Sequence, residues 1–422
     1  MVIGLYNESF YPILDGVVTT VNNYAYWLNR KHCRCFVVTP RSPKYRDDHA
    51  YQIARYQSIP VFGRYPYRVG LPAFDSRFRT WQKRQPMDLV HAHSPFFAGH
   101  EALRMARKRG IPLVATFHTK YYDDFLETTK NKILSKTLLD VVVRFFQSAD
   151  VVWTVNQSTT QTLYEYGYRG DVEVMPNGVD DFGFQTTGGL PTPRFRETFG
   201  IKPDIPLLLY VGQLVWQKNI KTMLEAVALY KGKVNMSKTA GFPFQLALVG
   251  DGAARGDIRR MISALGLCDE VVLTGAISDR VLLSQAYRSA DLFLFPSVYD
   301  TAALVAREAA FFGLPSILIE GANAAEDIVH GDNGFLCENT PEDLSDCIHM
   351  ALRDDELRRK VGQRAKQTLP VSWEEIVEKA YGRYEEIVEE HKHRRDALKA
   401  RSTRGETRST RGAARGETRG EK

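Results

Sequence analysis

The chain has 422 residues, 44% hydrophobic and 25% charged, a globular composition too long for one core and sized for two domains. Its net charge of +6 points at first to nucleic acid, but eleven Lys and Arg stand against four acids from His391 to Lys422, so the body is nearly neutral and that class is excluded. Five scattered cysteines with no Cys-x-x-Cys spacing exclude a disulfide framework or zinc site as the organising feature and fit a reducing compartment.

The chain opens on Val2–Tyr6, which reads as a strand with no leader-like segment before it. Similar β-rich runs follow at helix-length intervals: Phe36–Thr39, Leu89–His93, Leu113–Phe117, Val151–Val155 and Val172–Met175. A second series comprises Leu207–Val211, Leu246–Val249, Val271–Thr274, Leu292–Phe295 and Ile317–Ile319. Buried strands alternating with helices predict parallel sheets with right-handed crossovers. The fold class is therefore α/β with two Rossmann-like domains, 1–181 and 206–370, and a linker at 182–205 rich in Thr, Gly and Pro. No apolar run approaches the roughly 18 residues of a membrane-spanning helix.

Ser372–Glu375 has the pattern of a capping box. Behind it, Trp373, Ile376, Val377, Ala380, Tyr384 and Ile387 fall on one face of an amphipathic helix expected over 371–391. The Arg-rich remainder, 392–422, reads as a disordered tail, because from Arg401 onward it has no apolar residue larger than alanine.

Open α/β sheets bind ligands beyond the carboxyl ends of their strands, so the loops there carry the candidate chemistry. Val298-Tyr-Asp-Thr301 follows a strand and precedes a helix closed by Gly313 and Pro315, with Asp300 or Thr301 as the expected N-cap. Asp300 and Glu308, eight residues apart, would lie about 80° apart on a helix and face one cleft. Lys218 stands where a turn becomes a helix, suited to phosphate, and Gly16 follows strand one where its backbone can approach an anion. His118 ends a strand and is an active-site candidate, the alternative being a structural histidine. His91 and His93, two apart, share one strand face, but no third ligand at metal-site spacing accompanies them. Between Arg55 and Arg84, seven Lys and Arg stand against Asp75, interleaved with Tyr56, Phe62, Tyr65, Tyr67, Phe74, Phe78 and Trp81. That composition suits an anionic lipid interface, the alternative being an ordinary basic face with partly buried aromatics.

Together these residues resemble glycosyltransferase family 4, the retaining transferases of GT-B fold. The family's two acids separated by seven residues match Asp300 and Glu308. Its Gly-Arg-Leu-x-x-x-Lys-Asn segment matches Gly212, Leu214, Lys218 and Asn219, its Pro-Asn-Gly-Val-Asp matches 176–180, its Val-Gly-Asp-Gly matches 249–252, and its late Glu-x-x-x-x-Gly-x-Asn-Gly runs from Glu326 to Gly334. The stretch from His91 to Phe125 is similar to the subgroup that glucosylates diacylglycerol. The resemblance implies a nucleotide-sugar donor, with UDP-glucose expected, held by Gly16, Gln213, Lys218, Asp300, Thr301, Ala303, Leu304 and Glu308. It implies a catalytic set of His118, Asp300 and Lys218, with no metal and no cofactor beyond the donor. It further implies a lipid acceptor and a cytoplasmic enzyme, peripheral at the inner face of the cell membrane, the alternatives being a soluble transferase with a polysaccharide or small-molecule acceptor and a non-catalytic sugar-nucleotide-binding regulatory protein. Three positions depart from the family pattern: Gln213 replaces an arginine, Asp300 a glutamate, and Ala303 a frequent glycine.

Overall fold

The computed structural model describes residues 1–13, 15–43, 45–61, 68–179, 193–236 and 243–413, with side-chain burial through Ala397. The first domain comprises β1 (Val2–Tyr6), α1 (Gly16–Trp27), β2 (Arg34–Pro40), β3 (Gln52–Tyr56), β4 (Ser58–Pro60), β5 (Arg68–Gly70), α2 (Ser76–Arg84), β6 (Leu89–Ala92), α3 (Phe97–Arg109), β7 (Leu113–Phe117), α4 (Tyr121–Thr129), α5 (Lys132–Gln147), β8 (Val151–Thr154), α6 (Gln157–Glu165) and β9 (Glu173–Val174). Seven strands form a parallel sheet in the order β3-β2-β1-β6-β7-β8-β9, and β4 and β5 make a separate antiparallel pair.

The second domain comprises α7 (Pro193–Thr198), β10 (Leu207–Val211), α8 (Ile220–Met236), β11 (Gln245–Val249), α9 (Arg255–Ala264), β12 (Val271–Gly275), α10 (Arg280–Ser289), β13 (Leu292–Phe295), α11 (Leu304–Phe311), β14 (Ser316–Ile319), β15 (Phe335–Cys337), α12 (Pro341–Arg353) and α13 (Asp355–Thr368). Its six strands are parallel in the order β12-β11-β10-β13-β14-β15. Buried side chains on both faces of each sheet explain why the central strands are unbroken apolar runs.

The strand order reverses beside β1 and β6 in one sheet and beside β10 and β13 in the other. These are the two switch points where crossovers part to opposite faces and leave a crevice. Every candidate site loop emerges from a strand bordering one of them or from its neighbour β7.

The part of the expected linker from Pro193 onward belongs to the second domain. Phe195 of α7 is fully buried in that domain's core, and Arg196 donates to the carbonyls of Ile205 and Ser289. Lacking apolar periodicity, this short helix was not legible as structure. Residues 180–192, with Asp180 of the Pro-Asn-Gly-Val-Asp match, lie outside the described residues.

The last helix, α14 (Trp373–Ala413), crosses back to the first domain. Trp373, Ile376, Val377, Ala380, Tyr384 and Ile387 are buried there with Ile3, Leu5, Val21 and Tyr24. Ser372 Oγ accepts from Glu375 N at 3.1 Å, the serine half of the expected capping box. Pro176–Val179 seats this junction. Val179 N donates to Val371 O at 2.7 Å, and a Cβ on Gly178 would lie 2.6 Å from the Trp373 Cα. The helix does not stop near His391, as its apolar face does, but is continuous to Ala413. Just past His391, Lys, Arg and Ala are good helix formers, and the pair Glu390–Arg394 supports the exposed helix there. Residues 414–422 lie outside the described residues.

Candidate active site between the two domains

The loops after β10 and β13 meet at the second switch point. The first turns through Trp216–Lys218 and a left-handed Asn219 into α8. Two glycines let another loop pack under it: a Cβ on Gly250 would fall 1.9 Å from the Gly212 carbonyl oxygen, and one on Gly252 would fall 2.5 Å from that of Leu214. Lys218 is thereby aimed at the β13 loop, where its ammonium pairs with Asp300 Oδ1. Asp300 Oδ2 is buried without a hydrogen-bond partner.

Asp300 does not cap α11. The helix begins at Leu304, and its N-cap is Ala303, which makes no side-chain cap bond and sits at φ +39°. Asp300 therefore lies in the preceding loop, and the helical-phase argument linking it to Glu308 does not hold. Glu308 is on α11, accepts from the Tyr287 hydroxyl at 2.7 Å and lies 3.8 Å from Arg280. The structure thus gives the two acids different partners. The start of α11 carries N–H groups with no intrahelical acceptor and the positive end of a dipole, a geometry suited to phosphate.

Across the cleft, α1 starts at Gly16 behind the N-cap Asp15, whose carboxylate accepts from Val18 N at 2.8 Å. A Cβ on Gly16 would approach Leu304 to 3.4 Å, so the starts of α1 and α11 converge. Burial raises the Asp15 pKa, and the positive Lys218 acts against that rise. Gln213 is exposed, and its carbonyl accepts from the Tyr210 hydroxyl.

His118 reaches the boundary from the first domain. Its carbonyl accepts from Thr301 Oγ1 at 2.6 Å, and its ring Nε2 lies 3.1 Å from His93 Nδ1. Burial depresses its pKa to about 3, so the ring is neutral. His91 is bound by the Tyr384 hydroxyl and Thr116 Oγ1, both at 2.7 Å. The structure therefore brings together Gly16, Lys218, Asp300, Thr301, Ala303, Leu304 and His118 at the domain boundary.

Sequence reasoning did not assign a boundary role to the residues that hold it, although Glu326 and Tyr299 fall within matched motifs. Asn156, the N-cap of α6, donates to the carbonyls of Thr301 and Asn323 at 2.7 and 3.3 Å. Glu326 accepts from the backbone N–H groups of Gln157 and Ser158 at 3.1 and 2.6 Å. Tyr299 donates to Asp124 at 2.6 Å. Asn156 carried a signal, as a polar residue ending a strand before a helix; its partners 145 and more residues away did not.

The expected lipid-facing stretch, Arg55–Arg84, is in part committed to the fold. Tyr56 and Phe78 are buried, Trp81 packs on the same core, and Arg55 pairs with Asp47 and two carbonyls. Phe74 is 78% exposed, while Phe62, Arg64, Tyr65 and Tyr67 lie outside the described residues. Core aromatics under basic helix positions give the same composition as a lipid-facing surface, and Arg77, Arg79, Lys83 and Arg84 remain exposed beside Phe74.

Residues 14–181 match the Glycosyltransferase Family 4 domain and residues 191–368 the Glycosyl transferases group 1 domain. Similar proteins include an alpha-monoglucosyldiacylglycerol synthase of Streptococcus pneumoniae, 25% identical over 75% of this chain and 70% of its own length. Sulfoquinovosyl transferase SQD2 of Arabidopsis thaliana is 25% identical over 85% and 68%. Among solved structures, a sucrose-phosphate synthase from Thermosynechococcus elongatus shares the fold with a TM-score of 0.76 at 21% identity, covering 92% of this chain and 98% of that one. The Anabaena protein HepE, in complex with UDP and glucose, gives 0.70 at 19% identity, covering 90% and 98%.

Proposed function

Since the chain belongs to glycosyltransferase family 4, we propose that it is a retaining transferase moving a hexose from a nucleotide-sugar, UDP-glucose, onto a membrane lipid such as diacylglycerol. The observation that carries the donor half is the convergence of the α1 and α11 starts, with Lys218 beside them. The diphosphate would lie over the uncapped α11 start, with Lys218 leaving Asp300 to neutralise it. Asp300 would then be free for sugar hydroxyls, Glu308 would bind the ribose, and His118 would face the sugar. The departing phosphate would take the acceptor proton on the same face of the sugar.

The acceptor half draws on the relatives that act on diacylglycerol and on the surface of α5. There Ile133 is 81% exposed, Leu134 and Val141 are 47% exposed, and Lys132 and Lys136 flank them. An apolar face edged with lysines suits an anionic bilayer. α5 follows α4, whose Asp124 touches the second domain, so a lipid held there would be near the cleft. No helix among the described residues is long and apolar enough to cross a membrane, and a peripheral location at the inner face of the cell membrane is part of the proposal.

The test is a donor screen with anionic diacylglycerol vesicles, read as glycolipid formation. Turnover of a soluble acceptor without vesicle binding would sink the lipid reading. Lys218→Ala and Glu308→Ala should each weaken UDP binding at least about tenfold without unfolding the chain, as expected for losing a charged hydrogen bond. Unchanged affinity in both would remove the donor site.

A further inference from the structure

Behind His118 lies a column of buried imidazoles whose role the proposed reaction leaves open. β6 and the residue following it deliver His91 and His93, and the adjacent β7 leads into His118. The ring centroids of His91 and His93 are 3.9 Å apart, and those of His93 and His118 are 5.3 Å apart and stacked. His93 Nδ1 faces His118 Nε2 at 3.1 Å, and His93 Nε2 is buried with no hydrogen-bond partner.

A hydrogen bond between two neutral imidazoles needs one proton between the facing nitrogens. If His118 supplied it, His93 would keep its own proton on Nε2, leaving an N–H buried without an acceptor. If His93 supplies it from Nδ1, its unpaired Nε2 is a bare lone pair. Orphaned buried N–H groups are the rarer case in folded proteins. The second arrangement also fixes His118: with Nε2 accepting, its proton must sit on Nδ1.

We infer that His93 is a positioning residue that donates from Nδ1 to His118 Nε2, locking that ring and its tautomer so that His118 offers an Nδ1–H donor to a sugar hydroxyl oxygen. The inference rests on the reading of His118 as the group facing the donor sugar. His93 itself touches no substrate. It acts as an outer-shell partner that sets which nitrogen of an inner ring carries the proton.

The experiment compares His93→Asn, His93→Leu and His118→Ala in the full chain. Asparagine keeps an N–H near the position of Nδ1, and leucine removes it. With UDP-glucose and diacylglycerol vesicles, His93→Leu should lower kcat about tenfold or more with little change in KM, while His93→Asn stays within about threefold of wild type. Nitrogen-15 NMR of histidine-labelled protein should show His118 protonated on Nδ1 in the wild type and in His93→Asn, and a mixed or switched tautomer in His93→Leu. An Nε2-protonated His118 in the wild type, or the same tautomer and kcat in all three His93 forms, would overturn the inference. Loss of activity in both His93 variants in proportion to lost folding would do so too. Full activity in His118→Ala would instead overturn the site reading, and the NMR result would still decide the link between the two rings.

Discussion

Ala303 is a residue in a place built for glycine. It initiates α11 at φ +39° and is buried. An L-residue in this left-handed region costs about 1–2 kcal/mol, while a glycine there costs about 0.5–1 kcal/mol through unfolded-chain entropy. The first effect wins narrowly, so Ala303→Gly should stabilise the second domain by up to about 1 kcal/mol, read as a higher urea midpoint. A lower midpoint would mean that packing of the methyl group outweighs the strain. The three buried imidazoles make a second case at this scale. Burial lowers the pKa of His91, His93 and His118, the last to about 3, against roughly 6.5 in an unfolded chain. Between those values the unfolded state binds more protons, so the stabilisation is complete above about pH 6.5 and falls as pH drops, by about 1.4 kcal/mol per unit for each ring. Glu8, which burial pushes up to about 7, and Asp15, which burial also raises, oppose this, but they are two carboxyls against three rings. Urea midpoints should therefore fall steadily from pH 7 to pH 5; a flat profile would contradict the neutral stack.

At the scale of elements, α14 is the strap that joins the second domain back to the first. Its Tyr384 hydroxyl meets His91 Nδ1 inside the first domain's core. Tyr384→Phe keeps the ring stacked on Trp153 but leaves a buried nitrogen unpaired, which should cost about 1–3 kcal/mol in chemical denaturation. A cost near zero would show that His91 finds another partner. The apolar face of this helix was legible in the sequence, because 3.6-residue spacing exposes a stripe. Which sheet the stripe covers was not, since periodicity carries no address. The same contrast runs through the strands. Central ones such as Leu207–Val211 are continuous apolar runs and announce themselves. The edge strand Gln52–Tyr56 alternates and mixes in Arg55, and Phe335–Cys337 is three residues long, so both were missed. At the site, Lys218, Gly16 and Asp300 were legible as residue types at strand ends. The capping role given to Asp300 was not recovered, because a turn intervenes before Leu304 and sequence spacing cannot show it.

For the whole molecule, the first turn of α6 is one place where the relation between the two domains is set. The Glu326 carboxylate takes the place of a second cap there, accepting two backbone N–H groups from the other domain. Asn156 beside it reaches the Thr301 carbonyl, and Thr301 in turn holds the His118 carbonyl. This chain of bonds runs from the domain boundary into the cleft, so loosening its outer end should move His118 relative to Asp300. Two charge-assisted bonds at a partly exposed helix start contribute about 2 kcal/mol in all. Since about 1.4 kcal/mol is a factor of ten, losing both bonds would shift the closed-to-open ratio roughly 25-fold. Glu326→Ala should therefore enlarge the radius of gyration in small-angle scattering and raise the donor KM several-fold, with the far-ultraviolet circular dichroism unchanged. Glu326→Gln, which retains one acceptor oxygen without charge, should fall between. If both variants scatter and bind donor like the wild type, closure is held by the other bonds across the boundary, among them Tyr299–Asp124 and Lys120 to the Val298 carbonyl.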